Sequence, residues 1–166
     1  TNIGEGNEIN GLTLGGVGSG TTIEYVEVIS NLDDGFEFFG GTVNCKYLAA
    51  AFCGDDAFDF DEGYHGKGQF WLAIQAPSVG DHLAEHDGGT EPVYGEPYCI
   101  PEIYNATYIG NGQLNSTQIM TFADNAGGKY YNSIFINQVQ GVEIEYISGF
   151  NDSYHQFELG NLVFEN

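Results

Sequence analysis

The sequence predicts an all-β fold, a parallel β-solenoid of about seven coils, with an antiparallel β-sandwich as the alternative. Three observations carry that expectation. Strand formers are abundant, with 11 tyrosines and 12 phenylalanines, and 25 glycines supply turns between short strands. No run of helical period exceeds a couple of turns. An acidic and aromatic motif recurs: Asp33-Asp34-Gly35-Phe36-Glu37-Phe38 returns as Asp55-Asp56-Ala57-Phe58-Asp59-Phe60, with Glu37 and Asp59 22 positions apart. A unit of that length, two or three short strands separated by turns, is one coil of a parallel solenoid. A sandwich also has short strands and glycine turns, but it predicts no such echo. Coils stacked about 4.8 Å apart would build a rod roughly 30 to 35 Å long.

Taken from the N-terminus, residues 1–20 are glycine-rich, and Ile9, Leu12 and Leu14 are enough for one coil. Thr22-Ile23-Glu24-Tyr25-Val26-Glu27-Val28 then leads into the first acidic motif, and Thr42-Val43-Asn44-Cys45-Lys46-Tyr47-Leu48 leads into the second. With a side-chain period of two, Phe58 and Phe60 fall on one face and Asp59 and Asp61 on the other, a half-buried strand with an acidic outside. Asp55 to Gly63 holds five carboxylates in nine residues, the densest acidic stretch. A further step of 26 from Asp59 reaches Glu85 in Leu83-Ala84-Glu85-His86-Asp87, and Thr121 precedes Glu143 by another 22. Gly40-Gly41 and Gly127-Gly128 open corresponding strands. All four prolines, Pro77, Pro92, Pro97 and Pro101, lie between Ala76 and Glu102. Proline cannot donate to a sheet ladder, so residues 76–102 are expected to protrude as loop, interrupted by a short strand at Glu85. The whole chain, 1–166, reads as one domain. Neither end shows a helical cap, so open coil edges are expected to meet flanking domains or to stack end to end as a homo-oligomer or filament.

Charge narrows the partners. The chain carries 24 acids against three lysines, no arginine, and a net charge of −21. Nucleic acid and anionic membrane surfaces both need cationic side chains, so divalent cations or basic surfaces are the expected counterparts. The longest apolar run, Tyr47 to Cys53, is too short to insert across a bilayer. With 42% hydrophobic residues there is ample core, and the chain should fold. The sequence lacks an initiating Met and a signal peptide, so it is expected to be a segment of something longer. Of three cysteines, Cys45 and Cys53 are near enough in sequence to bridge in an oxidising compartment, leaving Cys99 free or intermolecular; three reduced core residues are the other reading.

The runs Ile9 to Val28 and Asp33 to Gly41, then Asp55 to Asp59, Gly63-Tyr64, Gln69-Phe70 and Ile103-Tyr104-Asn105-Ala106-Thr107, resemble a right-handed parallel β-helix segment of large secreted and surface-anchored bacterial proteins. The resemblance covers most of the chain. It implies a fold and an extracellular or cell-surface location, and it carries over no catalytic residue.

The acidic repeats suggest the chemistry. If Glu37, Asp59 and Glu85 sit one strand apart, two unit charges at about 5 Å repel by about 3 kcal/mol at an effective dielectric of 20. Protons or cations must then sit between them, or the side chains splay into solvent. Hard oxygen donors in turns and strands are what Ca²⁺ takes, so Asp33, Asp34, Glu37, Asp55, Asp56, Asp59, Asp61, Glu62, Glu85 and Asp87 are the candidate ligands. A merely solvated acidic face is the plainer reading. His82-Leu83-Ala84-Glu85-His86 has the form H-x-x-E-H, but no helix is predicted to bring both histidines together; in a strand His82 and His86 share a face, too far apart to ligate jointly. A surface transition-metal site at His86, Asp87 or His65 is a further option, with unpaired surface or core histidines as the plainer reading. Glycan cleavage is the enzymatic alternative, needing two carboxyls about 5 to 9.5 Å apart from among Asp34, Asp55, Asp56, Asp59 and Asp61. Acids that repeat with the coil are better explained by the repeat. His65-Gly66-Lys67-Gly68 is the one turn where a base and a cation meet beside acids. Tyr64, Phe70, Trp71, Tyr94, Tyr98 and Tyr104 are candidates for a sugar-stacking platform or for the core. Asn105, Asn115 and Asn151 begin glycosylation acceptor patterns. The expectation is an extracellular structural or adhesive module with a calcium-binding acidic ladder, and the alternative is a β-helix that binds or cleaves glycans.

Overall fold

The computed structural model describes residues 9–89, 92–93, 95–113, 117–147 and 152–166. The first coil is β1 (Leu12–Gly15) and a long bent strand β2 (Thr22–Ile29); the second repeats the pair as β3 (Phe36–Phe39) and β4 (Asn44–Ala51). In the next three coils the long strand breaks at its bend. Thus β5 (Phe58–Asp61) is followed by β6 (Lys67–Gln69) and β7 (Leu72–Ile74), β8 (Glu85–His86) by β9 (Glu102–Tyr104) and β10 (Thr107–Ile109), and β11 (Gln118–Phe122) by β12 (Gly128–Tyr131) and β13 (Ile134–Ile136). The last coil holds β14 (Gln140–Ile144), a short helix α1 (Ser153–Glu158) and β15 (Leu162–Glu165).

Each strand pairs in parallel with its counterpart one coil away. One sheet runs β1-β3-β5-β8 and reaches β11-β14 through the Ala84 to Met120 bridge; the other runs β13-β10-β7-β4-β6-β9-β12-β15, with β2 on β4. Parallel pairing between successive coils is a β-solenoid and rules out the antiparallel sandwich. From β1 to β14 the chain completes about five turns, fewer than the seven expected. The difference is loop: the step from Glu85 to Thr121 takes 36 residues instead of 22, and α1 lengthens the last coil. That helix is a second departure from expectation. Asp152 caps it, its carboxylate accepting from the His155 N–H.

The register turns the motif into a core. Phe36 lies against Phe58 and Phe38 against Phe60, with ring centres 5.3 Å apart in both pairs. Continuing the second row, Phe60 packs on His86 at 4.9 Å and His86 on Phe122 at 4.1 Å. Trp71 reaches across from the other sheet to Phe58 at 4.6 Å and donates its Nε1–H to the Cys45 carbonyl. Each buried phenylalanine contributes roughly 2 to 3 kcal/mol, and each ring pair about 0.5 to 1.5 kcal/mol more. His86 belongs to this interior, completely buried. Its Nδ1 faces the Thr121 carbonyl and its Nε2 the Tyr130 hydroxyl, both at 2.9 Å, so Nδ1–H donates and Nε2 accepts from Tyr130. Burial lowers its pKa to about 3, so the ring is neutral. This excludes His86 from the surface metal site considered from sequence.

The bend between the two halves of each coil falls on one register position. Tyr25, Tyr47, Phe70, Asn105 and Asn132 all have φ between 50° and 58°. That left-handed conformation costs a residue with a Cβ about 1 to 2 kcal/mol. Stacking offsets it in the first three coils, where Tyr25 and Tyr47 lie 4.5 Å apart and Tyr47 and Phe70 5.4 Å. Asparagine, which tolerates the conformation, takes over in the next two.

Cys45, Cys53 and Cys99 are free and buried. Cys45 lies near the start of β4 and Cys53 just past its end, far beyond the roughly 6 Å Cα separation that a disulfide requires. Cys99, fully buried, cannot link one copy to another.

Candidate cation site

The site is the outward face of the first sheet together with the turn that precedes each of its strands. Register places Thr13, Glu37, Asp59 and Glu85 in one row, and Thr121 and Glu143 continue it beyond the Ala84 to Met120 bridge. A parallel row in the turns consists of Asp34, Asp56 and His82. The Asp34 carboxylate accepts from the Asp56 backbone N–H at 3.0 Å, and the Asp56 carboxylate from the His82 N–H at 2.5 Å. Each aspartate therefore clips its own coil to the next, and these bonds hold the buried Asp34 and Asp56 carboxyls in place.

Ligand atoms from three residues gather within 4.8 Å of one another in three adjoining groups: Asp33, Asp34 and Asp55; Asp34, Glu37 and Asp59; and Asp56, His82 and Glu85. Two oxygens on opposite sides of a Ca²⁺ ion are about 4.6 to 5.2 Å apart, so the first two groups have the span and the hard donors that this ion takes. Burial, then mutual repulsion, raises the carboxyls. Asp59 is pushed to about 10 by burial and then by Asp34, Asp56, Glu85 and Glu37. Asp34 and Glu37 rise to about 7 and Glu85 to about 8, again chiefly by burial. Asp56 is held well above the ordinary range, and Asp55 is raised too. The Oδ1 of Asp59 is buried with no hydrogen-bond partner. At neutral pH such a row holds protons, or gives them up to a cation.

The remaining candidates lie elsewhere. Asp61 ends β5 and Glu62 and Asp87 follow β5 and β8, and among the described residues none of the three joins a group of three clustered ligand atoms. Asp61 accepts from the Glu62 N–H, and Asp87 is raised to about 7 by burial and then by Glu85, Asp124, Asp61 and Glu145. His82 is the residue that sequence reasoning put on the wrong face, beside His86, and left out of the candidate ligands. Leu83 and Ala84 are both buried, so the period-two alternation breaks between His82 and β8. His82 consequently points out to Asp56 and Glu85 while His86 points in, and the two histidines do not share a face.

No lysine compensates the row. Lys46, Lys67 and Lys129 all lie on the second sheet, where Lys67 pairs with Glu102 at 2.8 Å and Lys129 lies 4.0 Å from it. The His65 to Gly68 turn therefore supplies no cation to the acids of β5. Of the proposed aromatic platform, Tyr64 and Trp71 are core, Phe70 stacks on Tyr47, and Tyr104 stacks on Tyr131 at 4.9 Å. Tyr94, Asn115, Ser116 and Asn151 lie outside the described residues. Beyond Glu85 the acidic row opens into a groove of about 500 Å³ lined by His82, Glu85, Thr121, Glu143, Glu145 and Tyr146.

A family model described as "Pectate-lyase like beta helix domain" matches residues 1–166. The chain belongs to that family. The match spans the complete sequence, so the pectate-lyase-like β-helix domain includes every coil described above as well as the acidic row. No curated protein and no solved structure matches the chain. Membership in the β-helix family accounts for the stacked parallel coils and leaves the role of the carboxylates to be read from their geometry.

Proposed function

We propose that this β-helix is an extracellular structural or adhesive scaffold that binds divalent cations, calcium foremost, along its outer carboxylate row. One observation carries the reading: carboxylate oxygens of Asp34 and Glu37 from one coil and Asp59 from the next lie within 4.8 Å of one another, and the Asp59 carboxylate has an oxygen, Oδ1, that is buried without a hydrogen-bond partner. A bound cation would satisfy that oxygen and replace the protons that the crowded carboxyls otherwise retain. The exposed apolar side chains Ile29 and Leu32 of the first coils and Phe157, Leu159 and Phe164 of the last support end-to-end contact between copies. Thermal melting in chelator and in millimolar Ca²⁺ tests the cation reading. A rise in midpoint with Ca²⁺ that disappears in Glu37→Gln supports it, and identical midpoints refute it.

A glycan-binding or glycan-cleaving role is the second reading, favoured by the groove in which Glu143, Glu145 and the exposed Tyr146 lie beside Glu85. It predicts release of sugars from polysaccharide, abolished in Glu143→Gln or Glu145→Gln. No release by the wild-type protein removes the cleavage form of this reading.

A further inference from the structure

The third group differs from its neighbours because it contains a nitrogen. Nδ1 of His82 lies 3.2 Å from Asp56 Oδ1 and 3.8 Å from Glu85 Oε1, the second beyond hydrogen-bond reach, and it is buried without a hydrogen bond to either. In a tetrahedral zinc site with bonds of about 2.0 to 2.1 Å, neighbouring ligand atoms are about 3.3 to 3.4 Å apart. The observed separations straddle that value. On its far side the imidazole presents Nε2 to Asp81 Oδ1 at 3.6 Å, and that oxygen is also buried without a partner. A carboxylate behind the non-ligating nitrogen is the usual device for orienting a metal-bound histidine.

We infer that Asp56, His82 and Glu85 form a transition-metal site of the Zn²⁺ class, with Asp81 as its positioning residue. Calcium does not account for the arrangement, since it takes oxygen donors, whereas one imidazole with two carboxylates suits Zn²⁺ or Co²⁺. The site is built where two chain segments meet, the turn at Asp56 and the run from His82 to Glu85. Asp56 is fixed by its bond from the His82 backbone N–H, and Glu85 is fixed by its pairing opposite Asp59. His82 follows because its own main chain is the donor to Asp56. Three protein ligands leave one tetrahedral position, and His82 and Glu85 also line the groove of about 500 Å³, from which water or the hydroxyl of a bound ligand can complete the shell.

The test is Co²⁺ titration followed by visible absorption, with displacement by Zn²⁺, on the full chain and on His82→Gln, Glu85→Gln and Asp81→Asn. The wild type should take one equivalent of Co²⁺ with tetrahedral d–d bands that Zn²⁺ abolishes. His82→Gln should lose more than about 100-fold in affinity, and Asp81→Asn about 10- to 100-fold, the usual cost of losing an orienting partner. Because a variant can misfold, the nitrogen resonance of His82 Nδ1 in the wild-type protein supplies a separate reading and should shift on adding Zn²⁺. Equal Zn²⁺ affinity in wild type and His82→Gln, or an unmoved Nδ1 resonance, overturns the assignment. The calcium response of His82→Gln should remain that of the wild type, so this site and the Asp34, Glu37 and Asp59 site can fail independently.

Discussion

Replacing Asp59 by asparagine should stabilise the metal-free protein, although the change removes a charge from an acidic protein's most crowded row. The carboxyl of Asp59 rises from 3.8 to about 10, through burial first and then through Asp34, Asp56, Glu85 and Glu37. A carboxyl whose folded pKa is raised favours folding least where the unfolded chain ionises it freely. Its penalty is absent below the unfolded value and grows as pH rises from there toward the folded value. At pH 7 the folded protein must retain a proton that the unfolded chain releases, a difference of about three pH units and roughly 4 kcal/mol; at pH 5 it is roughly 1.5 kcal/mol. Asparagine is neutral in both states and nearly the same shape, so it escapes this cost. Melting in chelator from pH 4 to pH 7 measures the effect. Asp59→Asn should match the wild type at pH 4 and melt higher at pH 7, by on the order of 10 °C. Millimolar Ca²⁺ should reverse the ranking, because only the wild type can exchange the proton for the ion. A variant that melts at or below the wild type at pH 7 in chelator, with the two equal at pH 4, refutes the reasoning.

Three further outcomes follow from the packing. Phe60→Ala removes a fully buried ring that touches Phe38, Trp71 and His86 and should cost about 3 to 5 kcal/mol in urea unfolding. Gly88→Ala would place a Cβ 1.6 Å from the Asp124 carbonyl, a backbone atom that cannot swing aside, and should cost about 1 to 3 kcal/mol or more in the same assay. Burial raises the Cys45 thiol to about 12 and holds Cys99 well above its ordinary value, so a thiol reagent at pH 8 should label no cysteine in the native protein and three after denaturation.

The fold was legible because Phe36, Phe38, Phe58 and Phe60 alternate with acids and recur at one interval, which is the signature of a stacked coil. The same interval placed Glu37 beside Asp59 and Thr121 beside Glu143, and the looser step to Glu85 also falls into register. The number of coils was not legible, since length divided by 22 counts the excursion from Glu85 to Thr121 as coils. Sequence likewise gave no sign that His82 leaves the face of His86. That depends on Leu83 and Ala84 being buried in succession, which the neighbouring coil imposes through the bond from the Leu83 N–H to the Ile119 carbonyl. Nor could α1 be read, because six residues carry too little periodicity to stand out from a loop.

The left-handed bend at Tyr25, Tyr47, Phe70, Asn105 and Asn132 divides the coil into a part that varies and a part that does not. Successive bends are 22, 23, 35 and 27 residues apart, yet the residue before each one and the second after it always meet their counterparts across the sheet. Length is therefore gained only at the other corners. A guest segment grafted between β10 and β11 should leave the acidic row undisturbed. One residue inserted beside Asn105 would instead turn Ile103 or Tyr108 out of the core and carry polar neighbours inward. The bend thus acts as a phase marker, allowing the solenoid to accept new loops without renegotiating which side chains face its interior.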